Sequence, residues 1–286
     1  MTSADSPSSS SPDFTGHGTE ALDADFDIRE FTRTAQGNLR SELDLEAFAA
    51  DPVSTEALDL LQYLGRLESA TMENLRNLLV TATHKDARVT AFLVTWAFEK
   101  FWLSDAIDAV QEAHGRPRGK DVPEGPTRHA VSELRERRGP IVRAVQAIGL
   151  GIPIVAVHTT TGVVDEWIMR SSYERLVEIA DNEPLSAVVD TILRVKSRHE
   201  EFFADESKRR LAESSRAVKQ TRTALEHAVW PVGAIERSDA DRTMFERLVF
   251  GDAAGRYRAD AIGARVAALP GMDARIGDAV SRKLAA

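Results

Sequence analysis

The sequence predicts an all-α protein built on four long helices, paired as two hairpins that one long crossover joins. Three observations carry this. From Thr55 onward apolar residues recur with a helical period almost without interruption. Runs of alternating β-branched residues are missing, and Ala, Leu, Glu and Arg dominate instead. Gly and Pro are crowded into a few short stretches that separate the periodic segments. Two hairpins with one long connection are one way to build a four-helix bundle, the alternative being an all-α protein of another topology.

The elements follow in order. Residues 1–25 are rich in Ser, Pro and Asp, with six serines among the first eleven positions. Such a segment has too little apolar area to offset its ordering entropy, so disorder is expected. Residues 26–52 are mixed, with one short helix expected near Asp44 to Ala50. A first long helix is expected over 55–82 and a second over 86–113. Gly115, Pro117, Gly119, Pro123, Gly125 and Pro126 mark the crossover, which has room for a short helix near Arg128–Arg138. A hydrophobic stretch from Pro140 breaks at Gly149-Leu-Gly-Ile-Pro153, and the third long helix follows over 153–181. Asn182-Glu183-Pro184 stops one helix and restarts the next, because Pro suits a first helical turn. The fourth helix is expected over 184–204 and a polar one over 206–229, ended by Trp230-Pro231-Val232-Gly233. Two or three shorter helices finish the chain. The resulting division is an acidic leader, largely disordered, over 1–52, a helical bundle over 53–205 and a C-terminal helical extension over 206–286.

Composition narrows the function classes. The chain has 286 residues, a net charge of -9 and no cysteine. Without Cys there are no disulfides, thiolate metal sites or Cys nucleophile, which fits a reducing cytoplasm. Residues 1–60 carry 13 acidic and 3 basic side chains, so the rest of the chain is near neutral. That balance argues against a general nucleic-acid binder. Ile141 to Val157, the most apolar stretch, is interrupted by Arg143, Gln146, Gly149, Gly151 and Pro153, and is too short to span a bilayer. Residues 1–25 lack a basic start and an apolar run, so no secretory signal is expected. There is no Gly-x-Ser-x-Gly elbow, phosphate loop or dinucleotide fingerprint. His84 and His158 fall near helix ends or a kink and are expected to cap or be solvated. Lys208-Arg209-Arg210 with Arg216, Lys219 and Arg222 reads as a solvated helix face, placed to meet the acidic leader.

The informative feature is a set of ionisable residues on the apolar seams. Glu68 lies on the seam Leu61, Leu64, Thr71 or Met72, Leu75, Leu79, and Glu99 on the seam Phe92, Trp96, Leu103, Ala106 or Ile107, Val110. Glu166 lies among Val155, Val163, Met169, Tyr173 and Leu176; Lys196 and His199 lie among Leu185, Ile192, Phe202 and Phe203. In an antiparallel hairpin, residues equally far from the turn face one another. Glu68 and Glu99 are near-equidistant from His84, and Glu166 and His199 from Asn182–Glu183, each roughly 24 Å from its turn at helical rise. One layer would then hold all four. Charges buried together must bind a metal, share protons or find a counter-charge.

This pattern, with the run Ile192-Leu-Arg-Val-Lys-Ser-Arg-His199-Glu-Glu-Phe-Phe203, resembles the ferritin-like di-iron carboxylate superfamily over about residues 55–204. In that family two helices each supply a Glu and two each supply Glu-x-x-His. The resemblance equates Glu68 and Glu166 with the lone glutamates, Glu99 with the first Glu-x-x-His glutamate and His199 with the second histidine. Trp102 stands at the first His position and Lys196 at the second Glu position. Trp cannot ligate iron, and an ammonium opposes a divalent cation. The resemblance thus implies a ferritin-like bundle with a degenerate site and no metal cofactor, in which Lys196 supplies one ammonium and Trp102 fills the emptied ligand space. It also implies a homodimer. The function expected on this reading is that of a binding, scaffold or regulatory protein.

Three other readings stay open. An oxidoreductase could keep an atypical Fe or Mn site on Glu68, Glu99, Glu166 and His199. Tyr173, about two turns from Glu166, could support metal-free radical chemistry. The seam charges could also be incidental to a plain helical interaction module, with Lys196 snorkelling outward.

Overall fold

A computed structural model describes residues 26–116 and 151–285, and among these every regular element is helical. The helices are α1 (Ile28–Arg33), α2 (Thr55–Ser69), α3 (Thr71–Leu79), α4 (Ala87–Ala113), α5 (Ile154–Ala180), α6 (Glu183–Glu213), α7 (Ser215–His227), α8 (Asp239–Phe250), α9 (Ala253–Ala267) and α10 (Ala274–Leu284). Short 3-10 turns lie at Arg40–Glu42, Glu46–Ala49, Ala82–Lys85 and Ala234–Glu236. None of the described helices is long and apolar enough to cross a membrane. The helix expected near Arg128–Arg138, the stretch 140–150 and the leader 1–25 lie outside the described residues.

Short polar side chains set the helix starts. Ser54, Asp86, Asn182 and Ser214 each accept a bond from a backbone N–H in the first turn of the helix that follows. The turn between α5 and α6 is two residues long. Asp181 takes the left-handed conformation at φ 45°, and Asn182 caps Leu185 while its amide donates to the Asp51 carbonyl at 2.9 Å. That turn forces α5 and α6 to run antiparallel and side by side. Gly162 lets them approach closely, since a Cβ there would lie 2.7 Å from the Phe203 ring. α2 packs on α4 and α5, and α4 also meets α6.

Three expected boundaries move. The helix expected over 55–82 breaks at Ala70. There the Arg66 carbonyl keeps its bond from the Ala70 N–H and accepts as well from the Ser69 hydroxyl and Arg237, while the Gly65 carbonyl accepts from the Ser104 hydroxyl, so side chains add to the bonding at the helix end. The fourth long helix does not stop at 204 but continues to Glu213, because Phe202, Phe203, Glu206, Ser207 and Leu211 prolong its buried stripe. Residues 26–52 are docked onto the helices: Phe26, Phe31, Leu39 and Phe48 are buried, the short helix expected near Asp44–Ala50 is a 3-10 turn at Glu46–Ala49, and α1 and another 3-10 turn precede it.

The C-terminal helices pack onto the same core. Arg175 of α5 donates to the Leu248 carbonyl and pairs with Asp252, while Glu200 of α6 pairs with Arg170 and Arg265. Within the basic run, Arg209 pairs with Glu206 and Glu213, and Arg210 with Glu206 and with Asp86 of a different segment; residues 1–25 of the leader it was expected to face lie outside the described residues.

Gly162→Ala tests how the site helices are spaced. Helix propensity would gain about 1 kcal/mol, but forcing the Phe203 ring aside costs about 1–3 kcal/mol. The expected outcome is a lower unfolding midpoint in urea, and an unchanged or higher one would show that the ring has room.

Candidate functional site

Four helices each send ionisable side chains into one layer. Glu68 comes from the last turn of α2, Glu99 and Lys100 from the middle of α4, Glu166 and Tyr173 from α5, and Lys196 and His199 from α6. None of these seven is more than 2% exposed.

At the centre two carboxylates and two ammoniums alternate. Lys100 Nζ lies 2.7 Å from Glu68 Oε2 and 3.4 Å from Glu166 Oε1. Lys196 Nζ lies 2.9 Å from Glu68 Oε1 and 2.7 Å from Glu166 Oε2. Each ammonium therefore bridges both carboxylates, and the four formal charges cancel. Neutral donors complete the set: the Tyr173 hydroxyl donates to Glu68 at 3.1 Å and the Trp96 indole to Glu166 at 3.1 Å. Lys100 also sits 5.2 Å from the centroid of the Trp96 ring.

Beside this lattice, Glu99 has its own partners. Its Oε1 accepts from the Gln36 backbone N–H at 2.8 Å and from Arg198 at 2.9 Å, and its Oε2 lies 2.7 Å from His199 Nε2. Arg198 donates further to the Thr34 carbonyl and stacks 4.6 Å from the Phe31 centroid. His199 Nδ1 lies 3.9 Å from Glu166 Oε1, too far for a hydrogen bond, so the two groups touch without joining.

The electrostatics follow from burial and pairing. Burial raises the Glu68 and Glu166 carboxyls, but Lys100 and Lys196 outweigh it and hold both below the usual carboxylate range. Burial lowers the Lys100 ammonium, and Glu166 and Glu68 more than restore it. The Tyr173 phenol is held well above its ordinary value by burial and then by the Glu68 charge. Asp165, next to Glu166, differs. Its Oδ1 accepts the Val232 N–H at 2.7 Å, and burial pushes it up to about 6 against the pull of Lys100. His158, partly buried, bonds the Thr83 hydroxyl at 2.8 Å, and burial takes it down to about 4. His84 contacts the Thr81 carbonyl.

The structure thus brings Glu68, Glu99, Glu166, Lys196, His199 and Tyr173 together. It corrects two details. Trp102 does not fill the ligand space: it is half-buried and packs on the exposed Phe98 and Phe101, while Lys100 and Trp96 reach the carboxylates. The lattice also has two ammoniums where Lys196 alone was expected. Periodicity missed Lys100 because α4 is apolar on nearly every side between Val89 and Leu103, so seam counting could not tell that both Glu99 and its neighbour point inward. The sign was available as two adjacent charges inside that otherwise uncharged stretch. Arg198 and the Gln36 amide left no sequence signal, since both come from outside the seams.

These residues do not fit a di-iron centre. A cation between Glu68 and Glu166 would meet two ammoniums already at hydrogen-bond distance, and its carboxylate charge is already neutralised. Among the described residues no group of three or more His, Asp or Glu has metal-holding geometry. No protein-family model, curated protein or solved structure matches this chain.

Two predictions follow from the charges. Lys196→Met leaves buried carboxylate uncompensated and should cost about 3–5 kcal/mol. Glu68→Gln combined with Lys196→Met should cost clearly less than the two single changes added together. Additive losses in urea unfolding would show that the charges are not coupled. For Asp165, the folded value of about 6 exceeds the ordinary 3.8, so the folded state binds more protons in that interval and stability falls as pH rises through it. Asp165→Asn keeps the acceptor for Val232 and removes the charge. It should therefore stabilise the protein by about 1–3 kcal/mol at neutral pH, an advantage that shrinks toward nothing as pH falls below 4. A pH-independent difference would contradict this assignment.

Proposed function

We propose that the chain is a ferritin-like four-helix bundle of α2–α3, α4, α5 and α6 whose di-iron centre has been replaced by an ammonium–carboxylate lattice. On this reading it works without a metal cofactor, as a cytoplasmic binding, scaffold or regulatory protein and not as an oxidoreductase. The observation that carries the reading is that Lys100 and Lys196 each bridge Glu68 and Glu166. In a di-iron protein those carboxylates carry the negative charge that attracts the metals. Here two permanent cations of the chain hold that place, and their net charge with the carboxylates is zero. Burial of the whole layer also supports a structural role, because a substrate would have to part packed helices to touch it. The scaffold reading implies a protein partner, with a second copy of the chain as the first candidate.

An Fe or Mn site on Glu68, Glu99, Glu166 and His199 would require both ammoniums to leave and Glu99 to give up Arg198. Elemental analysis separates the two readings. On protein expressed with added iron and manganese and kept from chelators, the expected result is no stoichiometric metal in a folded sample. Stoichiometric metal that disappears in His199→Ala would overturn the proposal and direct attention to oxygen-dependent oxidation.

A further inference from the structure

The N-terminal arm and the start of α6 leave a groove between them. Its walls are the chain around the 3-10 turns at Arg40–Glu42 and Glu46–Ala49 and the first turns of α6, and its volume is about 390 Å³. Leu43, Ala47, Pro184 and Val188 give it an apolar lining, and the carboxylates of Glu42, Asp44 and Glu183 line it as well, all three on exposed residues.

The chain that forms the groove is acidic on both sides. Residues 41–51 carry four acidic side chains and residues 181–193 carry three, and neither stretch has a Lys, Arg or His. The arginines that flank these stretches are engaged: Arg194 pairs with Glu42 at 3.3 Å, and Arg40 turns to Asp105 and Glu112. Among the described residues no cation stands at ion-pair distance from Asp44 or Glu183. Asp44 accepts the Ala47 N–H at 3.3 Å, and the amino end of α6 offsets part of the Glu183 charge, but neither is a counter-ion. The three lining carboxylates and Arg194 leave a surplus of two negative charges.

We infer that this groove is the docking site for a segment of a partner protein that carries Arg or Lys beside a branched or aromatic apolar side chain. An apolar lining next to unpaired carboxylates selects a segment that presents both chemistries close together. Arg meets both demands alone, since its methylenes lie on apolar surface while its guanidinium forks onto a carboxylate. The acidic field speeds encounter with a basic segment and turns an acidic one away. The open side of the groove favours a chain segment over a small free amine. Small-molecule sites enclose about 70–90% of their ligand, whereas a segment of a larger chain needs only part of its surface covered. The inference rests on the binding or scaffold reading and names the chemistry of its partner. Metal content tests that reading and peptide binding tests this site, so the two failures are distinguishable.

The test selects from a random peptide library displayed on phage against the full chain. The expected winners carry Arg or Lys next to Leu, Ile or Phe. The most enriched peptide, synthesised with a fluorescent label, should bind the wild type in an anisotropy titration, and more weakly as salt is raised. Glu183→Lys reverses one charge, and Ala187→Phe fills the groove without changing its charge. Each should raise the Kd more than about tenfold. Helical circular dichroism and thermal midpoint should stay near wild type, because both positions are exposed. Winners without basic residues, or binding that neither variant weakens, would overturn the proposal. Loss with Glu183→Lys but not with Ala187→Phe would reduce the site to surface charge and overturn it too. Spermidine displacing the labelled peptide as effectively as unlabelled peptide would overturn it in favour of a small-amine site.

Discussion

Burying two carboxylates and two ammoniums at the centre of a helical protein is tolerable only because each charge touches two of the opposite sign. Glu68, Lys100, Glu166 and Lys196 come from four different helices, so each pair needs two of them and the complete lattice forms only when α2, α4, α5 and α6 are all in place. The lattice therefore acts less as a source of stability than as a condition on assembly. An arrangement that displaced one helix by a turn would leave a buried charge without its counter-charge, which is far costlier than the same slip in an apolar core. Tyr173 and Trp96 add donors that fix which way each carboxylate faces.

The outer parts of the molecule serve the same layer. The segment after α1 delivers the Gln36 amide to Glu99 and gives Arg198 a carbonyl and an aromatic ring to rest on. Glu99 is thus satisfied by the N-terminal arm and by α6, which leaves Lys100 free to serve Glu68 and Glu166. On the opposite side, Arg237 adds a bond to the Arg66 carbonyl near the end of α2, and the Val232 N–H binds Asp165. The C-terminal region therefore braces the last turn of α2, which carries Glu68, and supplies a donor to a carboxyl beside the lattice.

The seams named Glu68, Glu99, Glu166, Lys196 and His199, because in an amphipathic helix an ionisable residue in the apolar stripe stands out against its neighbours. The equal spacing of these residues from their turns put them in one layer, because helical rise is constant. α4 escaped this logic. Its polar face is too weak to limit the seam to one side, so seam counting found Glu99 and overlooked Lys100, while the inward role of Trp102 came from the family resemblance alone. The end of α6 escaped for a related reason: a continuing stripe beyond Ala204 was masked by the charged residues around it.

The sequence by itself determined the helices, most of their limits and the presence of charges where a core was required, since these depend on local periodicity, capping and punctuation. Only the tertiary structure decided which cations meet those carboxylates, that the ammoniums number two, and that Arg198 and the Gln36 amide belong to Glu99. Those choices depend on how four helices are rotated about their axes and where a distant arm comes to rest. They are fixed by packing between segments up to 128 residues apart, and no local pattern in the chain records them.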